Sequence, residues 1–88
     1  MRFIHAREYL NRGDMVVVEC SHQCNVMITT DDNFENYQSR KAFQYHGGHF
    51  KKLPARIAVP NDGYWNTTLD LGGGGANIKY SISYITRG

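Results

Sequence analysis

Apolar, β-branched and aromatic residues come along this chain in short runs that alternate with polar ones, and Gly, Pro, Asn and Asp separate the runs. Helical periodicity is nearly absent, so the pattern is that of an all-β chain. Residues 2–7 read as a first strand. Asn11-Arg12-Gly13-Asp14 follows as a turn, because Gly13 is free to adopt positive φ and the Asn and Asp side chains can bond nearby backbone. Residues 15–20 form the next strand, and the unbroken apolar run Met15-Val16-Val17-Val18 predicts burial on both of its faces. Residues 25–30 form another, joined to the last by the polar loop Ser21-His22-Gln23-Cys24, and the two are expected to make a hairpin.

The segment 31–37 changes character. Acidic cap candidates Asp31 and Asp32 lead into Phe34 and Tyr37, whose i, i+3 spacing puts both rings on one face and predicts at most one short helical turn near residues 31–38. Residues 42–46 follow as a short strand with Phe43 and Tyr45 on one side, broken by Gly47-Gly48. Residues 56–59 form an apolar strand closed by Pro60, and Pro60-Asn61-Asp62-Gly63 is a turn by composition. In 64–71 the residues Trp65, Thr67, Leu69 and Leu71 share a face, and in 77–86 Ile78, Tyr80, Ile82 and Tyr84 do so. The glycines Gly72 to Gly75 link these last two strands. About seven short strands with regular turns predict a small antiparallel β-sandwich or partly open barrel. The sandwich is preferred, because tyrosines on the last strand would lie between two sheets with their hydroxyls at the rim.

With 88 residues the chain is expected to make a single all-β domain across 1–88 with one small core. Apolar residues at 41% and charged residues at 20% describe a folded chain rather than a disordered one. The longest apolar run ends at four residues, where a membrane span needs roughly 20. The first residues hold no apolar stretch of signal-peptide kind, so the expected site is the cytoplasm, with no membrane partner. In that compartment Cys20 and Cys24 are reduced thiols, and Asn66-Thr67-Thr68 is a chance match to a glycosylation acceptor.

The net charge of +2 is too small to imply a nucleic-acid partner, but its distribution is uneven. Residues 1–35 carry Arg2, Arg7 and Arg12 against Glu8, Asp14, Glu19, Asp31, Asp32 and Glu35, a sum of −3. Residues 36–61 carry Arg40, Lys41, Lys51, Lys52 and Arg56 with no acid, a sum of +5. Asp62, Asp70, Lys79 and Arg87 cancel in the rest.

A set of short motifs in a fixed order carries a family resemblance. They are Gly13-Asp14 before a valine-rich strand, Asn25-Val26, Asn33-Phe34 with Asn36-Tyr37, and Tyr45-His46-Gly47-Gly48. Ile57-Ala58-Val59-Pro60, Gly63-Tyr64-Trp65 and Asp70-Leu71-Gly72-Gly73 complete it. From about His5 onward the chain resembles the small bacterial family called domain of unknown function eighteen eighty-three. The resemblance implies an all-β fold and no established reaction, cofactor or catalytic residue. Members are also found fused to TIR domains, which implies a recognition or scaffolding part in bacterial or mobile-element defence signalling. Cys20, His22 and Cys24 depart from the family pattern, whose loop here is small and polar.

Each candidate constellation has a plainer reading beside it. Cys20-x-His22-x-Cys24 offers three zinc-type ligands within five residues, but the turn between two strands breaks the regular geometry and a fourth ligand is undefined. Buried or incidental thiols are the favoured reading, and no metal site or cofactor is expected. His46-Gly47-Gly48-His49 could supply an acid or base to a small hydrolase, with Asp70 to orient it, yet no nucleophile motif accompanies the pair. No catalytic residue is therefore assigned. Gly72 to Gly75 lead into a strand rather than a helix N-terminus, which favours a hairpin turn or bulge over a phosphate loop.

The basic zone is the best functional lead. Cations beside stacking aromatics are how single strands and nucleotides are held on β-surfaces. The expected ligand-binding residues are Arg40, Lys41, Tyr45, His46, His49, Phe50, Lys51 and Lys52, in a non-enzymatic module taking an anionic ligand, nucleotide or nucleic acid through segment 36–56. The alternative is a protein-interaction or scaffolding domain, including a homo-oligomer formed through sheet edges.

Overall fold

The computed structural model describes residues 3–70 and 78–86. They form β1 (Phe3–Leu10), β2 (Met15–Cys20), β3 (Cys24–Thr29), α1 (Asp31–Gln38), β4 (His46–Phe50), β5 (Ala55–Ala58), β6 (Gly63–Asp70) and β7 (Tyr80–Ile85). The strands make two antiparallel sheets, one ordered β1-β6-β3-β4 and the other β5-β2-β7. Their facing sides share one core. Val16, Val18, Ala55 and Ile57 come from the three-stranded sheet, and Leu10, Val26, Ile28, Trp65 and Leu69 from the four-stranded one. This is the all-β sandwich that the run lengths and turn spacing predict. Among the described residues no helix is long and apolar enough to cross a membrane.

Three expectations are corrected. The strands at 15–20 and 25–30 do not pair as a hairpin: β2 lies in one sheet and β3 in the other. Val16 and Val18 need an apolar surface opposite them, and Val26 and Ile28 supply it across the core, so the loop between them is a corner from layer to layer. The segment 42–45 is not a strand. It runs back along α1, where the Gln44 N–H donates to the Asn33 side-chain oxygen at 3.1 Å. The strand begins instead at His46 and contains Gly47-Gly48 rather than ending at them. Gly47 sits at φ 126°, and a Cβ there would run into the Val26 carbonyl oxygen, so β4 lies flush on β3 only because this position lacks a side chain. The third correction concerns burial on both faces, which belongs to β3 and β6 rather than to β2. Trp65, Thr67 and Leu69 face one way and Asn66 and Thr68 the other, and all are buried. In β2 the second face, Met15 and Val17, is only half-buried.

The glycines 72–75 lie outside the described residues. The strands on either side of them are in different sheets, so β6 and β7 form no hairpin.

Helix α1 explains the second buried face of β6. Thr30 caps it, its hydroxyl accepting from the Asn33 backbone N–H, and Asp31 and Asp32 lie in the first turn where carboxylates favour the helix dipole. Eight residues give two turns at the position where the Phe34–Tyr37 spacing predicts helical structure. Arg40, at φ 60°, then reverses the chain, donating its N–H to the Tyr37 carbonyl while Lys41 donates to that of Asn36.

Candidate functional site

On the outer side of the four-stranded sheet, the register aligns Phe3 with Asp70, His5 with Thr68 and Arg7 with Asn66 across β1 and β6. On the far side of β6, Asn25 aligns with Asp70, Met27 with Thr68 and Thr29 with Asn66. Helix α1 lies over this surface. Its first turn is tied by charge: Arg7 makes a two-pronged contact with Asp31 at 3.0 and 2.8 Å. The Arg7 hydrogen bonds, with that of Asn66, hold the Asp31 carboxyl down at about 2, and Asp31 raises the pKa of the guanidinium in turn. Its last turn is tied by Tyr37, which is buried and donates to Asp70 at 3.0 Å. Burial, followed by the bond to the Asp70 carboxylate, pushes the Tyr37 phenol up to about 12.

Between these anchors runs a line of rings. His5 stacks on Phe34 with centroids 4.0 Å apart, and Phe3 meets both Phe34 and Tyr37 edge-on. Tyr37 then meets Phe43 at 5.3 Å, and Phe43 meets Tyr45 at 5.5 Å. Where the line runs out, the surface opens into a pocket of about 390 Å³. Asn25, Met27 and Asp70 of the sheet form part of its wall. Tyr37, Phe43, Tyr45, Gly48 and His49 form the rest. His49 is held against Asn25, with its Nδ1 3.2 Å from the Asn25 side-chain oxygen and its Nε2 3.4 Å from that of Gln23. The pocket thus offers aromatic faces beside an imidazole, an amide and a carboxylate, a composition suited to a flat polar ring.

Two of the eight residues expected to bind ligand, Tyr45 and His49, line this pocket. Arg40 and Lys41 come three and four residues after Tyr37, just past the end of α1, and Lys51 and Lys52 come two and three residues after His49, just past the end of β4. Both pairs leave the fold at the end of the sheet marked by the Asn25–Asp70 and Cys24–Phe50 alignments. All four cations are exposed, and none forms an ion pair among the described residues. His46 and Phe50 lie elsewhere: His46 is edge-on to Trp65, and Phe50 packs against the core. Tyr37, Phe43, Asn25 and Asp70 are pocket residues that the expected set omits. The Phe34–Tyr37 spacing signals the first, but the alignment of Asn25 with Asp70 depends on pairing between strands distant in sequence.

A second pocket, of about 350 Å³, lies where β2 and β7 end, lined by residues 19–21 and 79–81. It offers a carboxylate, a thiol, two hydroxyls and an amine, with Tyr80 as its one ring, so it lacks the several aromatic faces of the outer-face pocket. Among the described residues no cluster of His, Cys, Asp or Glu has the geometry of a metal site. Cys20 and Cys24 are free thiols, and the His22 ring turns instead to the Ser21 hydroxyl at 2.8 Å. Burial, and then the neighbouring Cys20 thiol, push Cys24 up to about 12. His46 against an indole and His49 between two amide oxygens are not the histidine–carboxylate pairs that acid–base chemistry uses.

A family described as Domain of unknown function (DUF1883) matches residues 1–87, and the chain belongs to it. No curated protein and no solved structure matches the chain.

Proposed function

We propose that this DUF1883 domain is a binding module that takes a nucleotide in the outer-face pocket, the base against Tyr45 and Phe43 and the phosphates toward Arg40, Lys41, Lys51 and Lys52. The observation that carries the reading is the pocket itself. Ring faces and hydrogen-bonding groups line one cavity of about 390 Å³, and the cations that follow both of its chain segments have no carboxylate partner among the described residues. Stacking is tolerant of base identity and phosphate pairing is salt-dependent, so affinity would be modest and would fall with ionic strength. The free thiols support action in a reducing compartment, the cytoplasm.

The test is thermal unfolding with nucleoside mono-, di- and triphosphates at low and moderate salt. A ligand that binds only the folded state raises the melting temperature in proportion to its occupancy. Tyr45→Ala is expected to remove the shift at both salts, and K51E/K52E to shrink it mainly at low salt. No shift with any nucleotide at low salt would overturn the reading, as would a shift that survives Tyr45→Ala.

A further inference from the structure

Each sandwich edge exposes a row of backbone donors and acceptors, and three of the four are blunted. The edge strand β1 carries His5, Arg7 and Glu8. β4 has Gly47 and Gly48 at φ 126° and 152°, a backbone that departs from regular strand geometry, and β5 is four residues long, carries Arg56 and lies between Pro54 and Pro60. Charges, irregular backbone, prolines and shortness are the usual protections against strand addition. β7 has none of them: Tyr80-Ser81-Ile82-Ser83-Tyr84-Ile85 contains no charge, no proline and no glycine, and no described strand pairs with its outer edge.

The backbone polarity of that edge follows from one bond. The Ser21 N–H donates to the Lys79 carbonyl at 2.8 Å, continuing the ladder in which Cys20 aligns with Tyr80. In an antiparallel ladder the N–H and C=O of a residue point to the same side, and the side alternates along the strand. Lys79, Ser81, Ser83 and Ile85 therefore turn their backbone groups to β2, while Tyr80, Ile82 and Tyr84 turn theirs outward.

We propose that β7 pairs with β7 of a second copy of this chain, antiparallel about a two-fold axis at Ile82, to join the two three-stranded sheets into one. What selects a second copy is the symmetry of the strand. Tyr80-Ser81-Ile82-Ser83-Tyr84 reads the same in both directions. A two-fold axis at Ile82 therefore sets each Tyr80 against the other chain's Tyr84, each Ser81 against Ser83, and Ile82 against itself. The outward-turned residues are then the hydrogen-bonded pairs. Tyrosine and isoleucine rows meet on the core side, and the serines meet on the solvent side. Tyr80, 49% exposed, and the half-buried Ile82 and Tyr84 would gain the cover that an edge position denies them. A single short strand per chain makes a small interface, so the dimer is weak and concentration-dependent.

The test combines sedimentation velocity over a hundredfold concentration range with two charge variants, S81K/S83K and S81E/S83E. Both serines face solvent, and the register sets lysine against lysine or glutamate against glutamate at each of the two Ser81–Ser83 contacts. The wild type is expected to double its mass as concentration rises, each variant to stay monomeric with an unchanged circular dichroism spectrum, and an equimolar mixture of the two to dimerise again. Amide exchange gives an independent readout: protection of Tyr80, Ile82 and Tyr84 should grow with concentration, while that of Ser81 and Ser83 should not change. A wild type that stays monomeric throughout would overturn the proposal. So would a dimer that survives both charge variants, or one in which the outward amides stay unprotected.

Discussion

The side-chain amide of Asn66 donates to the Asp31 carboxylate at 2.7 Å, joining the centre of a strand buried on both faces to the first turn of the only helix among the described residues. The same amide donates to the Thr29 carbonyl at 3.3 Å, and its oxygen accepts from the His5 ring at 2.7 Å. The network fixes the orientation of the amide and requires a proton on His5 Nε2. Three segments distant in sequence are held by one buried side chain.

Asn66→Ala is expected to destabilise the domain by about 2–3 kcal/mol, because His5, Asp31 and the Thr29 carbonyl all lose a partner beneath the helix. On a domain of this size that is a fall of roughly 10 °C or more in Tm. Asn66→Asp should be worse at neutral pH, since it sets a second carboxylate against Asp31, and should recover part of the loss in acid. Equal melting temperatures for wild type and Asn66→Ala would show that the network does not hold the helix.

The Asp31 carboxyl, held at about 2 chiefly by the Arg7 hydrogen bonds and then by that of Asn66, lies below the roughly 3.9 of an unfolded chain. A depressed carboxyl contributes stability that is present above the unfolded value and is lost as pH falls through the folded one. The stability difference between wild type and Asp31→Asn should therefore be constant above about pH 5 and shrink between about pH 4 and pH 2. The pair is solvent-exposed, so the difference should not exceed about 1 kcal/mol. Urea unfolding across that range is the measurement, and a difference that ignores pH would contradict the assignment.

Thiol chemistry should separate the two cysteines. Cys24 is 3% exposed and its thiol is pushed up to about 12, whereas Cys20 is half-buried beside a surface pocket. A maleimide or disulfide reagent at mild alkaline pH is expected to label Cys20 first and Cys24 only after unfolding, because the thiolate is the reacting species. In Cys20→Ser the native protein should be almost inert. Equal labelling rates in the folded protein would rule out this difference in environment.

Thr68 is buried on the helix side of β6, between His5 and Met27 in the register, and its hydroxyl has no hydrogen-bond partner. Replacing an unpartnered hydroxyl by a methyl of similar shape removes a desolvation cost, so Thr68→Val should stabilise the domain by about 1 kcal/mol. Chemical denaturation reads this directly, and a loss of stability would mean that the hydroxyl is satisfied in solution.

Local pattern alone determined the class of fold. Period-two alternation, turn residues between the runs and a cap followed by the Phe34–Tyr37 spacing are properties of neighbouring residues, and they placed most strands and the helix. They also marked the acid-free stretch 36–61 and, within it, Tyr45 and His49. What local pattern could not decide was which strands pair. Val16, Val18, Val26 and Ile28 suit a hairpin and a two-layer core equally well, and only the competition for apolar partners across the whole chain chose the second. The same holds for the pocket, which exists because β3, β6 and β4 bring Asn25, Asp70 and His49 into one register beneath a returning loop. Gly47 and Gly48 read locally as a stop. Packing made Gly47 the residue that lets β4 lie flush on its neighbour, because close approach depends on what lies opposite and not on what lies next in sequence.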